Sequence, residues 1–151
     1  MRATSLSELR RPWEDFCRRK GLNGSKIREA VVDAFLVSGE HVDLQQLLAF
    51  VRRAHPHVGM ATVYRTMKLL EEAGIAQARD FGGTAALYEA TVGREHHDHL
   101  ICERCGRIEE FVSPEIERLQ ELSARSHGFS VVRHRHELYG ICADCQKMGG
   151  S

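Results

Sequence analysis

Four of the five cysteines form two Cys-x-x-Cys pairs, Cys102 with Cys105 and Cys142 with Cys145. Each pair bends the backbone so that two sulfurs face one ion, and two such turns supply the closed tetrahedral site that structural zinc prefers. A redox motif needs only one pair, and an iron–sulfur cluster is the remaining chemistry open to four thiolates. The spacing here is closer to a zinc ribbon. In a reducing compartment paired cysteines point to metal before disulfides. Cys17 stands apart from both pairs and reads as a small core residue.

Six of the nine histidines follow residue 95, and three of them stand in the run His96-His97-Asp98-His99. This run leads directly into Leu100-Ile101-Cys102, so an extended backbone is expected. Side chains alternate across a strand, which sends His96 and Asp98 to one side and His97 and His99 to the other. Neither pair completes a site, and each needs donors from elsewhere. The plain alternative is a histidine-rich surface strand. The adjoining cysteine motif, with acids and histidines at plausible positions around it, favours metal.

Two dissimilar halves must position these donors, residues 1–90 and 91–151. In the first, a helix is expected from about Pro12 to Lys20, stopped by Gly21. A second follows Ser25, a good N-cap, with Ile27, Val31, Ala34 and Phe35 at helical spacing. Asp43 and Gln46 form a capping box for a third helix, whose stripe is Leu44, Leu47, Leu48 and Val51. Pro56 interrupts it. A fourth runs from Met60 to Glu72 and stops at Gly74, with Thr62, Arg65, Thr66 and Lys68 left facing outward. Two short strands around Gly82-Gly83 suit a hairpin.

Helices, a short turn, a further helix and a hairpin make a winged helix-turn-helix, whose second helix of the pair enters the DNA major groove. The alternative is a small helical bundle with an appended hairpin. The second half reads as three strand-like runs (96–101, 107–112 and 129–141) around one helix. That helix is capped by Ser113, with Pro114 at its first position. The fold class is therefore α+β.

Composition narrows the partners. With 42% hydrophobic and 28% charged residues the chain reads as an ordinary globular protein. No stretch approaches the roughly 20 apolar residues of a membrane span, and Met1-Arg2-Ala3-Thr4-Ser5 leads into no signal-peptide core, so a cytoplasmic location is expected. The formal net charge is zero, yet Arg10 to Arg28 holds seven lysines and arginines against two acids. A local basic patch can contact phosphates on a neutral chain. A solvated helix face would explain the same charges.

Taken together, Gly59-Met60-Ala61-Thr62-Val63-Tyr64-Arg65, His96-His97-Asp98-His99-Leu100-Ile101-Cys102-x-x-Cys105-Gly106 and Tyr139-Gly140-x-Cys142 are highly specific. Over about residues 15–145 the chain resembles the ferric uptake regulator family. The resemblance implies a winged-helix DNA-binding domain followed by a small α/β dimerisation domain, and a homodimer that binds palindromic double-stranded operator DNA as a repressor. It implies structural zinc on the four paired cysteines. It further implies a regulatory ion on His41, Glu89, His97, His99 and Glu110, and an additional ion on His96, Asp98, Glu117 and His134. DNA contacts are implied for Arg28, Thr62, Tyr64 and Arg65. Asn23 departs from the family, which has a basic residue there.

By the same resemblance the regulatory metal is iron(II), in control of iron uptake, since Glu89 replaces the aspartate usual in peroxide sensors. Zinc-uptake, manganese or peroxide-responsive regulation are the alternatives, because nitrogen and oxygen donors accept iron(II), manganese(II) and zinc(II) alike. An ion with ligands in both halves would fix their angle and so the spacing of the two recognition helices. An enzyme reading needs an open metal position beside a general base, and no His-Glu-x-x-His motif occurs. Neither a small-molecule substrate nor a membrane partner is expected. A purely structural zinc module would leave the histidines without a role.

Overall fold

The computed structural model describes residues 5–38, 41–80, 85–93 and 96–149. The chain forms two compact units, Met1–Arg94 and Glu95–Ser151. Thr91 belongs to the first, since its backbone N–H donates to the Ile75 carbonyl at 2.9 Å and its hydroxyl to Gly74.

Four helices lead the first unit: α1 (Leu6–Lys20), α2 (Lys26–Ser38), α3 (Leu44–Arg52) and α4 (Met60–Glu72). The first starts at Leu6, well before the Pro12 start expected. Ser5 accepts the Glu8 N–H while the Glu8 carboxylate accepts the Ser5 N–H, a capping box that nucleates a turn ahead of the proline. Pro12 is thus inside the helix, where it removes one backbone donor. At the other end Gly21 takes a left-handed φ of 66°, and Leu22 N–H closes on the Cys17 carbonyl. Ser25 and the Asp43–Gln46 box begin α2 and α3 as expected.

One apolar cluster holds these helices together. Trp13 and Phe16 of α1 meet Val31, Val32 and Phe35 of α2, Leu47, Leu48 and Val51 of α3, and Val63, Met67 and Leu70 of α4. The Trp13 indole donates to Glu29, which also pairs with Arg10 at 2.6 Å, so the one polar atom of this core tryptophan is satisfied. Arg52 Nε donates to the Val58 carbonyl at 2.9 Å and ties the α3–α4 connection. Thr66 differs from expectation: it is buried, and its hydroxyl donates to the Thr62 carbonyl. That back-bond satisfies the only polar group, so a threonine serves as core.

The helices are followed by β1 (Ala76–Arg79) and β2 (Leu87–Ala90), antiparallel, with Gln77 opposite Glu89 and Arg79 opposite Leu87. The expected turn at Gly82-Gly83 lies outside the described residues. Val42 pairs with Tyr88 through two backbone bonds of 3.0 and 2.8 Å, which adds a third extended segment to this small sheet.

In the second unit β3 (Asp98–Cys102) is the centre of a three-stranded sheet. It runs antiparallel to β4 (Ile108–Phe111) and parallel to β5 (Glu137–Gly140), with α5 (Pro114–Ser126) making the crossover. Ser113 caps α5 and Pro114 opens it. The run 129–141 is a strand only at 137–140, because β3 is short and offers pairing there alone. A further helix, α6 (Ala143–Met148), follows the last cysteine pair.

Candidate metal centres

The two cysteine pairs come together at one end of β3. The Cys102 N–H donates to the Arg107 carbonyl at 2.8 Å and the Gly106 N–H to the Cys102 carbonyl at 2.9 Å, which closes a tight knuckle. Gly106 turns it at φ 73°, a left-handed conformation that side chains resist. The second knuckle runs into α6, with Cys142 at its N-cap. All four sulfurs lie within 4.8 Å of one another, and Cys105 and Cys142 stand 3.8 Å apart. Sulfurs at about 2.3 Å from a tetrahedral zinc would be spaced by about 3.8 Å. The donor set fits zinc in number, chemistry and spacing.

The electrostatics of this cluster favour a cation as well. The Cys142 N–H, donated to Cys102 Sγ at 3.3 Å, together with the amides of its own knuckle, lowers the Cys102 thiol to about 6. Burial, then the three neighbouring sulfurs, pushes Cys145 up to about 12. One sulfur is thus already prepared as a thiolate while another resists ionisation without a metal beside it.

A second cluster lies on one side of β3. His96 Nε2 is 3.3 Å from Asp98 Oδ1 and 3.1 Å from Glu117 Oε1. His134 Nε2 is 3.7 and 3.2 Å from the same two oxygens. Both Asp98 oxygens, Glu117 Oε1 and His134 Nε2 are buried without a hydrogen-bond partner. Buried polar groups are seldom left so. Here one donor atom from each of His96, Asp98, Glu117 and His134 lies within 4.8 Å of the others, an arrangement a divalent ion would satisfy.

On the other side, β3 pairs His99 with Glu110 of β4, and His97, His99 and Glu110 present donor atoms within 4.8 Å. His97 Nε2 is 3.5 Å from Glu110 Oε1. In the first unit the Val42–Tyr88 bridge brings His41 beside Glu89, with Nε2 to Oε2 at 3.2 Å. The alternation of His96 through His99 therefore divides the run between two clusters. Two further residues were not picked out by sequence reasoning. His136 Nδ1 stands 3.8 Å from Asp98 Oδ2, a neighbour that the alternation of His134-Arg135-His136 could have suggested. Arg79 donates to Glu89 from Nε at 2.7 Å, with a second nitrogen at 2.6 Å.

On α4, Tyr64 and Arg65 are exposed and Thr62 is half-buried, with Lys68 resting over the Tyr64 ring. Arg28, at the start of α2, is half-buried and donates to the Asn23 carbonyl. Among the described residues no helix is long and apolar enough to cross a membrane.

A sequence profile described as the ferric uptake regulator family matches residues 19–139. The chain belongs to this family. It is 43% identical over 130 residues to the ferric uptake regulation protein of Campylobacter jejuni, covering 85% of this chain and 82% of that one. Among solved structures it is similar to the Helicobacter pylori ferric uptake regulator, described as having three functional metal binding sites. The identity there is 29% and the TM-score 0.86, over 97% of each chain. A zinc-bound manganese uptake regulator is 40% identical, covering 87% of this chain and 99% of its own, at a TM-score of 0.66. Members of the ferric uptake regulator family are metal-responsive transcription regulators of winged-helix fold, not enzymes.

Proposed function

We propose that this protein is a metal-dependent transcriptional repressor that binds palindromic operator DNA as a homodimer, with iron(II) as its signal and iron-uptake genes as its targets. The observation that carries the reading is the separation of donors by chemistry. Four thiolates stand together at one end of β3, while imidazoles and carboxylates gather in other clusters. A closed sulfur site retains zinc, whereas nitrogen and oxygen sites exchange divalent ions with supply. Cys102, Cys105, Cys142 and Cys145 hold the structural zinc. His41, Glu89, His97, His99 and Glu110 serve the regulatory ion, and His96, Asp98, Glu117 and His134 the additional one.

The regulatory ion favours the arrangement of the protein that suits two half-sites on DNA. Such an ion acts only through its preference for that arrangement, and shifting a population from 1:99 to 99:1 takes about 5.5 kcal/mol. Arg28, Thr62, Tyr64 and Arg65 make the DNA contacts, the exposed α4 pair Tyr64 and Arg65 reaching into the groove. The homodimer is supported by α5, which buries none of its residues within the chain although Leu119 and Leu122 lie on it. Val132 and Phe129 are also exposed, at 94% and 71%. Apolar surface of this extent fits an interface with a second copy.

Manganese(II) is the second reading, favoured by the 40% identity to a manganese uptake regulator. One experiment separates the two and tests the site. Iron(II), manganese(II) and zinc(II) are titrated under free-metal buffering into wild type and His97→Ala, with operator binding as the readout. Iron(II) should activate wild type at the lowest free concentration relative to its cellular supply. His97→Ala should lose activation and keep the dimer and one tight zinc per chain. Wild-type activation of His97→Ala would transfer sensing to the cluster of His96, Asp98, Glu117 and His134.

A further inference from the structure

Glu89 is shared between two chemistries within the first unit. It lies on β2 directly opposite Gln77, so Arg79, two residues further along β1, is its diagonal neighbour on the same face. Arg79 Nε donates to Glu89 Oε1 at 2.7 Å, and its terminal nitrogen reaches the same oxygen at 2.6 Å. Glu89 Oε2 faces His41 Nε2 at 3.2 Å. Both groups are largely buried, with side-chain exposures of 12% for Arg79 and 4% for Glu89. The guanidinium therefore engages one carboxylate oxygen and the imidazole sits by the other.

We propose that Arg79 tunes the affinity and the selectivity of the regulatory site by withholding Glu89 Oε1 from the ion. The inference rests on the reading of His41 and Glu89 as regulatory ligands. The Nε–H donation and the close terminal nitrogen on a single oxygen make a strong charge-assisted contact that a dication has to compete against. With Arg79 in place Glu89 offers Oε2 alone. A one-oxygen carboxylate suits zinc(II), which is content with four ligands. Manganese(II) favours six ligands, largely oxygen, and gains more from a two-oxygen carboxylate. The buried positive charge also repels any dication that approaches His41.

Arg79 is not needed to keep Glu89 in place. The β1–β2 pairing fixes the Glu89 backbone through the Gln77 register, and the Val42–Tyr88 bridge fixes that of His41. Removal of the guanidinium takes a positive charge away from a buried carboxylate, and this further favours the metal-bound form by linkage. Arg79 is accordingly a selectivity residue that contacts a ligand and not the ion.

The test uses the full chain with its cysteine-bound zinc retained, and reads manganese(II) and zinc(II) binding at the weaker sites by competition with a fluorescent chelator. Arg79→Met, which keeps the apolar stem, should tighten manganese(II) by about tenfold and zinc(II) by about threefold or less. The metal-free melting temperature should fall, while the increase on adding manganese(II) should grow. Arg79→Gln keeps an N–H donor without the charge, and should shift manganese(II) in the same direction by a smaller factor. It carries the test if Arg79→Met does not fold. In a Glu89→Gln background both Arg79 substitutions should shift manganese(II) and zinc(II) by the same factor, because only the charge repulsion remains and the difference between the two ions is lost. A lower metal-free melting temperature with wild-type affinities for both ions would reduce Arg79 to a structural ion pair and overturn the inference. Unaltered metal binding in Glu89→Gln alone would instead remove Glu89 from the regulatory site, and with it the reading on which the inference stands.

Discussion

Removal of zinc from the cysteine cluster should unfold the second unit and leave the first folded. All nineteen buried residues of the apolar core, from Trp13 to Ala90, belong to the first unit. Among the described residues the second unit buries only Ile101, Cys102 and Cys145 as hydrophobic side chains, and two of these are sulfur donors. One buried aliphatic side chain contributes about 1.5–3 kcal/mol. A domain of some sixty residues needs net stability of about 3–9 kcal/mol after chain entropy has been offset. Apolar burial within the chain falls far short, whereas zinc on four cysteines supplies about 10–16 kcal/mol of apparent binding energy in small metal-dependent folds.

Cys142→Ser is the sharpest perturbation, since it removes one of the four sulfur donors while leaving the backbone N–H that bonds Cys102 Sγ in place. It should release the tight zinc, and amide hydrogen exchange should then report the two units separately. Asp98–Cys102 and Ile108–Phe111 should lose protection by several orders of magnitude, while Val31–Phe35 and Val63–Leu70 retain wild-type rates. Protection of β3 unchanged in a variant shown to lack zinc would refute the reasoning. The sheet would then owe its stability to the second copy.

Two other outcomes can be measured on the same preparations. Arg65→Ala should weaken operator binding by about 1–3 kcal/mol if the guanidinium contacts a base edge, and should flatten the salt dependence on every sequence if it contacts phosphate; unaltered affinity and slope would exclude it from the interface. Zinc affinity at the cysteine cluster should fall more steeply with pH below about 6, where Cys102 becomes protonated and a further proton competes with the ion. A plot of log Kd against pH that stays straight from 5 to 7 would show that the Cys102 thiol is not held low.

What could be read in the chain depended on how local the signal is. The knuckles are separated along the chain by β4, α5 and β5, yet each carries its own Cys-x-x-Cys, so spacing alone marks both. The division of His96 through His99 follows from the two-residue period of a strand and needs no tertiary knowledge. Helix starts at Ser25, Asp43 and Ser113 rest on a hydroxyl or carboxylate that accepts from the amide three residues on. The start of α1 was not legible from Pro12, a usual first helical residue, because the Ser5–Glu8 box starts the helix ahead of it. Thr66 escaped because helical periodicity sorts residues by polarity, and its hydroxyl is satisfied within its own helix. Arg79 depends on the register of β1 against β2, which no local pattern specifies.

Under the proposed function, the placement of both kinds of donor on β3 links folding to sensing. Asp98 and His99 open the strand and Cys102 closes it, so the sulfur cluster anchors one end of the element that presents the imidazoles. The strand is too short to hold itself, and β4 and β5 add only four residues each. A cysteine variant should therefore lose its metal response even if no cysteine ever touches the regulatory ion. Loss of response in such a variant says nothing about where sensing occurs. Only a variant that keeps the zinc and the β3 protection, as His97→Ala should, separates the ion that builds the unit from the ion that reports on supply.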